Sequence, residues 1–279
     1  FSNSETLDLA KKVYAQFDLV TNRESISAEL QEKQGFDISK TVSLACPAFL
    51  FLPEKSTNVV KLLQQERLLP QQREKPVVGF ILCGWNFEQG PFDRWPRDDS
   101  DYIKFAESIE FISEKLNAQV YLMSHSNGFE VPPSPFHLKQ GRDYPIMKQL
   151  QAVVEKRGIA KDVICLDGIY DVWQTKTIIG TFDMLVSGRI HAAVAGLSQS
   201  VPTVIVDYGH KPKAHKLMGF AAVVGITEYV ATPANNNDLN EKIEACWNHC
   251  QEIRSFLDHQ IPEVKKLSRE NFTRLQSIL

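Results

Sequence analysis

Long hydrophobic runs are missing from this chain. No stretch of its 279 residues approaches the 18 or so uncharged apolar residues that a membrane-spanning helix needs. The opening Phe1-Ser-Asn-Ser-Glu-Thr has neither the basic start nor the apolar stretch of a secretory signal, and the absence of an initiator Met points to an incomplete start. A dominant charge is missing too: 31 basic against 34 acidic residues leave a net charge of −3, so no broad field draws nucleic acid or an anionic membrane, and any anion site must be local. Cysteines are few, odd in number and scattered (Cys46, Cys83, Cys165, Cys246, Cys250), which argues against a disulfide framework and for a reducing, cytoplasmic setting. Cys246 and Cys250 flank His249 but lack the spacing of a zinc finger, and packing is the expected role.

What is present is a regular alternation. Continuous Val/Ile/Leu runs at 77–83, 119–123, 163–166, 184–186 and 203–206 read as strands, and they are separated by amphipathic segments at 100–116, 144–157, 172–180 and 190–197 that read as helices. Strands without polar alternation, spaced by helices, predict an α/β fold: a Rossmann-like parallel sheet covered on both faces. The first 70 residues hold only two or three further strands, at 18–21 and 41–44, too few for an independent domain of that kind. Ser25 or Ser27 is the expected cap of a helix that stops near Gly35. The polar, proline-flanked segment 70–76 marks a boundary. After Asp238 the chain is helical to its end, with a kink expected at Pro262. These readings divide the chain into 1–70, the final part of an amino-terminal α/β domain; 71–235, the Rossmann-like carboxy-terminal domain; and 236–279, helices that strap the two.

In open parallel sheets, ligands bind outside the carboxyl ends of the strands. The most informative strand end is Met184-Leu-Val-Ser187-Gly188-Arg189-Ile190-His191, where an apolar strand turns into a helix of small residues. A helix start favours an anion, Gly188 lets the backbone approach one, and Arg189 supplies a forked donor suited to phosphate or carboxylate. His191 in the first turn has the chemistry of an acid or base near neutral pH. The competing structural reading pairs Arg189 with Asp183 or Asp207 and makes His191 a half-buried packing residue. The next strand leads into Asp207-Tyr208-Gly209-His210-Lys211, which adds a second cationic loop beside the first. Ser124-His125-Ser126 follows the 119–123 strand. Trp85, Phe87, Phe92 and Trp95 form an aromatic loop suited either to stacking on a sugar or to anchoring itself. Asp143 reads as a cap for the helix from Tyr144, with Arg142 and Asp143 as secondary candidates to face the cleft.

The string Phe182-Asp-Met-Leu-Val-Ser-Gly-Arg-Ile-His-Ala-Ala-Val-Ala-Gly-Leu197, with Val201-Pro-Thr-Val-Ile-Val-Asp-Tyr208, Lys211 and Leu217-Met-Gly-Phe220, resembles the polysaccharide pyruvyl transferase family. Phe17-Asp-Leu-Val-Thr-Asn-Arg23-Glu-Ser25, then Gly35 and Cys46-Pro-Ala-Phe49, is similar to the motif that closes that family's amino-terminal domain, with Cys46 where an aspartate usually precedes the proline. The resemblance implies a glycosyltransferase-B-like architecture of two Rossmann-like domains, of which the amino-terminal one is incomplete here. It implies transfer of a pyruvyl group from phosphoenolpyruvate to two hydroxyls of a sugar in a surface glycan or its lipid-linked precursor, giving a cyclic ketal and phosphate. Neither metal nor redox cofactor is implied, and peripheral membrane association would come through the acceptor. By the same resemblance His191 is the acid that protonates the methylene carbon, with His125 and His210 behind it. Arg189 and Arg23 hold phosphate or carboxylate with Lys211 in support, and Ser187, Gly188 and Tyr208 complete the binding set. Two other readings remain: a glycosyltransferase or epimerase using a nucleotide-sugar, and a non-catalytic glycan- or nucleotide-binding module.

Overall fold

A computed structural model describes residues 3–54, 58–83, 97–130, 137–207, 215–235 and 237–279. The chain begins with α1 (Ser4–Tyr14), β1 (Val20–Asn22), α2 (Ser25–Lys33) and β2 (Thr41–Ser43), and β1 and β2 form a small parallel pair. A short 3-10 turn at Pro47–Leu50 and α3 (Asn58–Gln65) lead to the main domain. The cap of α2 is Glu24, not the expected Ser25 or Ser27. Its carboxylate accepts the Ser27 N–H at 3.0 Å while the residue is 2% exposed.

The main domain runs β3 (Val77–Ile81), α4 (Ile103–Glu114), β4 (Gln119–Met123), β5 (Asn127–Phe129), β6 (Leu138–Gln140), α5 (Asp143–Lys156), β7 (Val163–Leu166), α6 (Val172–Ile179), β8 (Met184–Ser187), α7 (Ile190–Leu197), β9 (Thr203–Val206), α8 (His215–Val224) and β10 (Val230–Ala231). Six of these strands form a parallel sheet in the order β10-β9-β8-β3-β4-β7. From β3 the chain builds outward through β4 to β7, then returns to lay β8 on the opposite side of β3. The point of reversal lies between β3 and β8, where adjacent strand-end loops diverge and leave a crevice. Strand-end residues Ile81 and Ser187 are register partners there.

The sheet is covered on both faces, as strands of unbroken Val/Ile/Leu predict. Val78, Phe80, Val120, Leu122, Val186 and Val204 pack into one buried cluster, and the alternate residues Val77, Ile81, Tyr121, Met123 and Leu185 pack into a second with Ile178, Phe182 and Ala192. The predicted bounds of β4, β7, β9 and α7 agree with the structure at both ends. The strand predicted over 77–83 stops its pairing at Ile81, although Leu82 and Cys83 stay buried. Two features were not anticipated. One is the antiparallel hairpin of β5 and β6, and the other is the two-residue edge strand β10, both too short to show periodicity.

The remaining residues form α9 (Asp238–Asn248) and α10 (Cys250–Gln276). The break falls at His249; α10 continues through Pro262, where a kink was expected. Far along α10, Ser268 Oγ donates to the Cys46 carbonyl at 3.0 Å and Asn271 Nδ2 to the Ala45 carbonyl at 3.0 Å. These bonds tie the last helix to the segment before the Pro47–Leu50 turn. No helix among the described residues is long and apolar enough to cross a membrane.

Gly79 in the middle of β3 is required by packing: a Cβ there would lie 2.2 Å from the ring of Phe182, itself 1% exposed. Gly79→Ala is expected to lower stability by about 1–3 kcal/mol through overpacking, read as a reduced urea midpoint at unchanged slope.

Candidate active site

The loop from β8 into α7 is sewn to the end of β3. The Gly188 N–H donates to the Ile81 carbonyl at 2.9 Å, and the Gly188 carbonyl accepts from Cys83 Sγ at 3.2 Å. Ser187, fully buried, accepts the Arg189 N–H at 3.1 Å and donates its hydroxyl to the Arg189 carbonyl at 2.9 Å. Sequence reasoning placed Ser187 and Gly188 against the ligand. The structure instead spends these polar groups on the shape of the turn. Arg189 stands at the N-cap of α7 in extended conformation, and its side chain makes no cap to the helix.

The guanidinium of Arg189 is engaged by Asp143 in a forked ion pair: Nε to Oδ2 at 2.9 Å, and Nη2 to Oδ1. Asp143 is completely buried and also accepts the Ser126 N–H at 3.2 Å, while its own N–H donates to Ser126 Oγ at 3.3 Å. The acid that holds Arg189 is therefore neither Asp183 nor Asp207. Asp183 accepts the Val77 N–H at 2.8 Å and lies 3.6 Å from Arg73 and 3.9 Å from Arg254. Asp143, read as a helix cap, is the first residue of α5 with its carboxylate turned into the site. The β5–β6 hairpin makes this contact reachable, pressing Gly141 so close to Ser126 that a Cβ would fall 1.9 Å from its carbonyl oxygen.

His125 follows β4 and His191 is the second residue of α7; both line a cavity of about 850 Å³. Its other walls come from Pro47 to Phe51, the hairpin residues Phe129 and Leu138, α6, and Phe272 of α10. His191 is exposed at this wall, contrary to the reading that buries it as packing. Partial loss of solvent around its ring at the cavity wall lowers its pKa, and the charges of Arg23 and Arg189 lower it further. For His125, loss of water contact pushes the pKa down to about 4; Asp143 opposes the shift, and His191 and Arg189 add to it. Both imidazoles are thus neutral at pH 7 in the free protein. Arg23, partly buried, makes no hydrogen bond or ion pair among the described residues.

His125, His191, Arg189 and Arg23, separated by up to 168 positions, are therefore one electrostatic neighbourhood at the switch of the sheet. Tyr208, His210 and Lys211 lie outside the described residues, as do Trp85, Phe87, Phe92 and Trp95. Two members of the site were missed from sequence: Asp143 as the partner of Arg189, and Lys176 of α6, which is 4% exposed and lines the cavity. The first has no spacing signal across 46 positions, and the second sits in an apolar helix where a lone lysine reads as a solvated residue. Cys46 is buried, and its carbonyl, not its thiol, makes the bond to Ser268. Among the described residues no group of three His, Cys, Asp or Glu side chains is arranged to hold a metal ion.

The model of the polysaccharide pyruvyl transferase family matches residues 1–210. The chain belongs to this family. The match takes in the Arg23 segment, the His125 loop, Arg189 and His191 together. No curated protein sequence matches the chain. Among solved structures it is similar to a glycosyltransferase from Rickettsia africae, at TM-score 0.60 and 12% identity over 96% of this chain and 66% of that one. It is similar to the Anabaena protein HepE in complex with UDP and glucose, at TM-score 0.60 and 14% identity over 99% and 68%. It is also similar to a UDP-forming trehalose-phosphate synthase from Burkholderia xenovorans, at TM-score 0.56 and 11% identity over 98% and 65%. These likenesses establish the fold: a glycosyltransferase-B-type α/β chain. The family member described here spans about two thirds of the length of those structures.

Arg189→Ala leaves the Asp143 carboxylate buried without its counter-ion, and a loss of about 3–5 kcal/mol in urea unfolding is expected. His125 works through pH. Its folded pKa lies below the unfolded value near 6.5, so its contribution is fully present above pH 6.5 and is lost as pH falls toward 4. Unfolding measured across this window should show His125→Asn flattening the acid limb.

Proposed function

We propose that this family member is a pyruvyl transferase that moves the pyruvyl group of phosphoenolpyruvate onto two hydroxyls of a saccharide, forming a cyclic ketal. The observation that carries the reading is the convergence of His191, His125 and Arg23 on the sheet's switch point, beside a cavity large enough for a donor and part of a sugar. The carboxylate and phosphate of the donor find a cation in Arg23, with Lys211, Tyr208 and His210 as the further binding residues that the family resemblance implies. Arg189, already balanced by Asp143, acts chiefly by fixing the α7 start and by its field on both histidines.

In the reaction, His191 gives a proton to the methylene carbon of the donor, the double bond is consumed, and positive charge develops at the central carbon. A sugar hydroxyl adds there and loses its proton to a base, for which neutral His125 is the candidate. The bond from that carbon to the phosphate oxygen then breaks, and a second hydroxyl closes the ketal, its proton leaving with phosphate or through His191. One carbon is protonated and two hydroxyls are deprotonated, so the products are the ketal and hydrogen phosphate. Written this way, the reaction calls on no redox cofactor or metal.

His191 is neutral in the free protein, and a polyanionic donor beside it reverses the effect of Arg23 and Arg189, so its pKa rises on binding. Protonation is thereby coupled to donor capture. The acceptor is proposed to be a surface glycan unit or its lipid-linked precursor, met by a cytoplasmic protein at the membrane face. A second reading is a nucleotide-sugar transferase, favoured by the Rossmann-type switch point and by the fold likeness to a protein that holds UDP and glucose.

Calorimetry should show binding of phosphoenolpyruvate in preference to UDP- and GDP-sugars; the reverse order would install the second reading. His191→Ala should lower ketal formation about 10²- to 10⁴-fold with little change in stability, since the residue is exposed. Because the acid form is lost as pH rises through its pKa, kcat/KM should fall from below pH 6.5, and the matching limb of kcat should lie at higher pH.

A further inference from the structure

Lys176 on α6 is 4% exposed, yet it lines the cavity shared with His125 and His191. It donates to the carbonyl of Phe51 and lies 6.0 Å from the centre of the Phe51 ring. No carboxylate pairs with it among the described residues, and the charged group that acts on it is another cation, Lys265 of α10. Burial, then Lys265, draws its pKa down to about 8, so most of it is charged at pH 7. A buried ammonium with one carbonyl and an aromatic face as partners is costly to keep, and an aliphatic residue would serve packing better. The surrounding walls are mostly apolar, with Pro47, Leu50, Val172 and Phe272 among them, so solvation is poor until a ligand arrives.

The main chain of Lys176 is set apart from the start of α7, where His191 stands. Gln199 Nε2 donates to the Lys176 carbonyl at 2.8 Å, which places the backbone of Lys176 beside the carboxyl end of α7, whereas His191 opens that helix. Eight helical residues rise about 12 Å, twice the length of a three-carbon donor. Among the described residues that line the cavity, Lys176 is the charged group, and the two neutral histidines lie toward the other end.

We propose that Lys176 is an anion subsite for the acceptor, holding a carboxylate or phosphate carried by the saccharide whose hydroxyls reach toward His191. The word acceptor rests on the pyruvyl-transfer reading; the anion subsite does not. An anion here would pair the ammonium and raise its pKa, so ligand binding and lysine reactivity are linked.

Competitive acetylation of the purified protein with acetic anhydride, followed by peptide mass spectrometry at pH 8.5, reads the free amine at Lys176. Glucuronate or glucose 1-phosphate should reduce its labelling several-fold, and glucose should leave it unchanged. Lys176→Met, close in shape and suited to apolar walls, should weaken binding of the two anionic sugars at least tenfold while calorimetric binding of phosphoenolpyruvate persists. Equal protection by glucose, no protection by either anionic sugar, or unchanged affinity in Lys176→Met would each overturn the subsite. Protection by phosphoenolpyruvate alone would assign the lysine to the donor and overturn the acceptor role. If the anionic sugars protect but phosphoenolpyruvate binds nowhere, the subsite stands and the pyruvyl reading falls.

Discussion

The forked pair between Arg189 and Asp143 holds the site together. A buried carboxylate needs a cation, and a guanidinium at a helix start has a fixed fork to offer it. Satisfying both joins the end of β8 to the start of α5, across the crevice where the sheet reverses. The pair also sets the electrical tone of its surroundings. Loss of solvent lowers both histidines first, Arg189 adds to that, Asp143 opposes the shift of His125, and the net result is two neutral imidazoles awaiting an anion. An arginine released from its acid would serve as a stronger ligand and a poorer organiser.

The architecture was readable from the chain because its central strands are unbroken apolar runs, a pattern that only a sheet covered on both faces satisfies. The locations of His191 and Arg189 followed from the rule that parallel sheets place ligands at strand ends. What those residues touch did not follow. Arg189 finds its acid 46 positions away, through a hairpin of two three-residue strands that no periodicity reveals. Ser187 and Gly188 looked available because a small-residue turn suits an anion, but the same smallness lets them fold back on their own loop and on β3. Lys176 escaped notice because its importance comes from burial without an acid, a property of three-dimensional packing.

The departure at Cys46 is informative in the same way. Where the family usually has an aspartate, this chain buries a thiol and uses the main-chain carbonyl to receive Ser268. An ionised side chain there would face the apolar cluster that surrounds Cys46, so the substitution suits the packing found around it.

The bonds from Ser268 and Asn271 to the carbonyls of Cys46 and Ala45, with Phe272 in the cavity wall one residue further, join positions more than 220 apart. Such distant closure is slow to form, because the whole intervening chain must be ordered first. On the ribosome the sheet and both histidines emerge well before the wall that encloses them. The chamber is thus finished only once Phe272 has been made, and ligand capture waits on that helix.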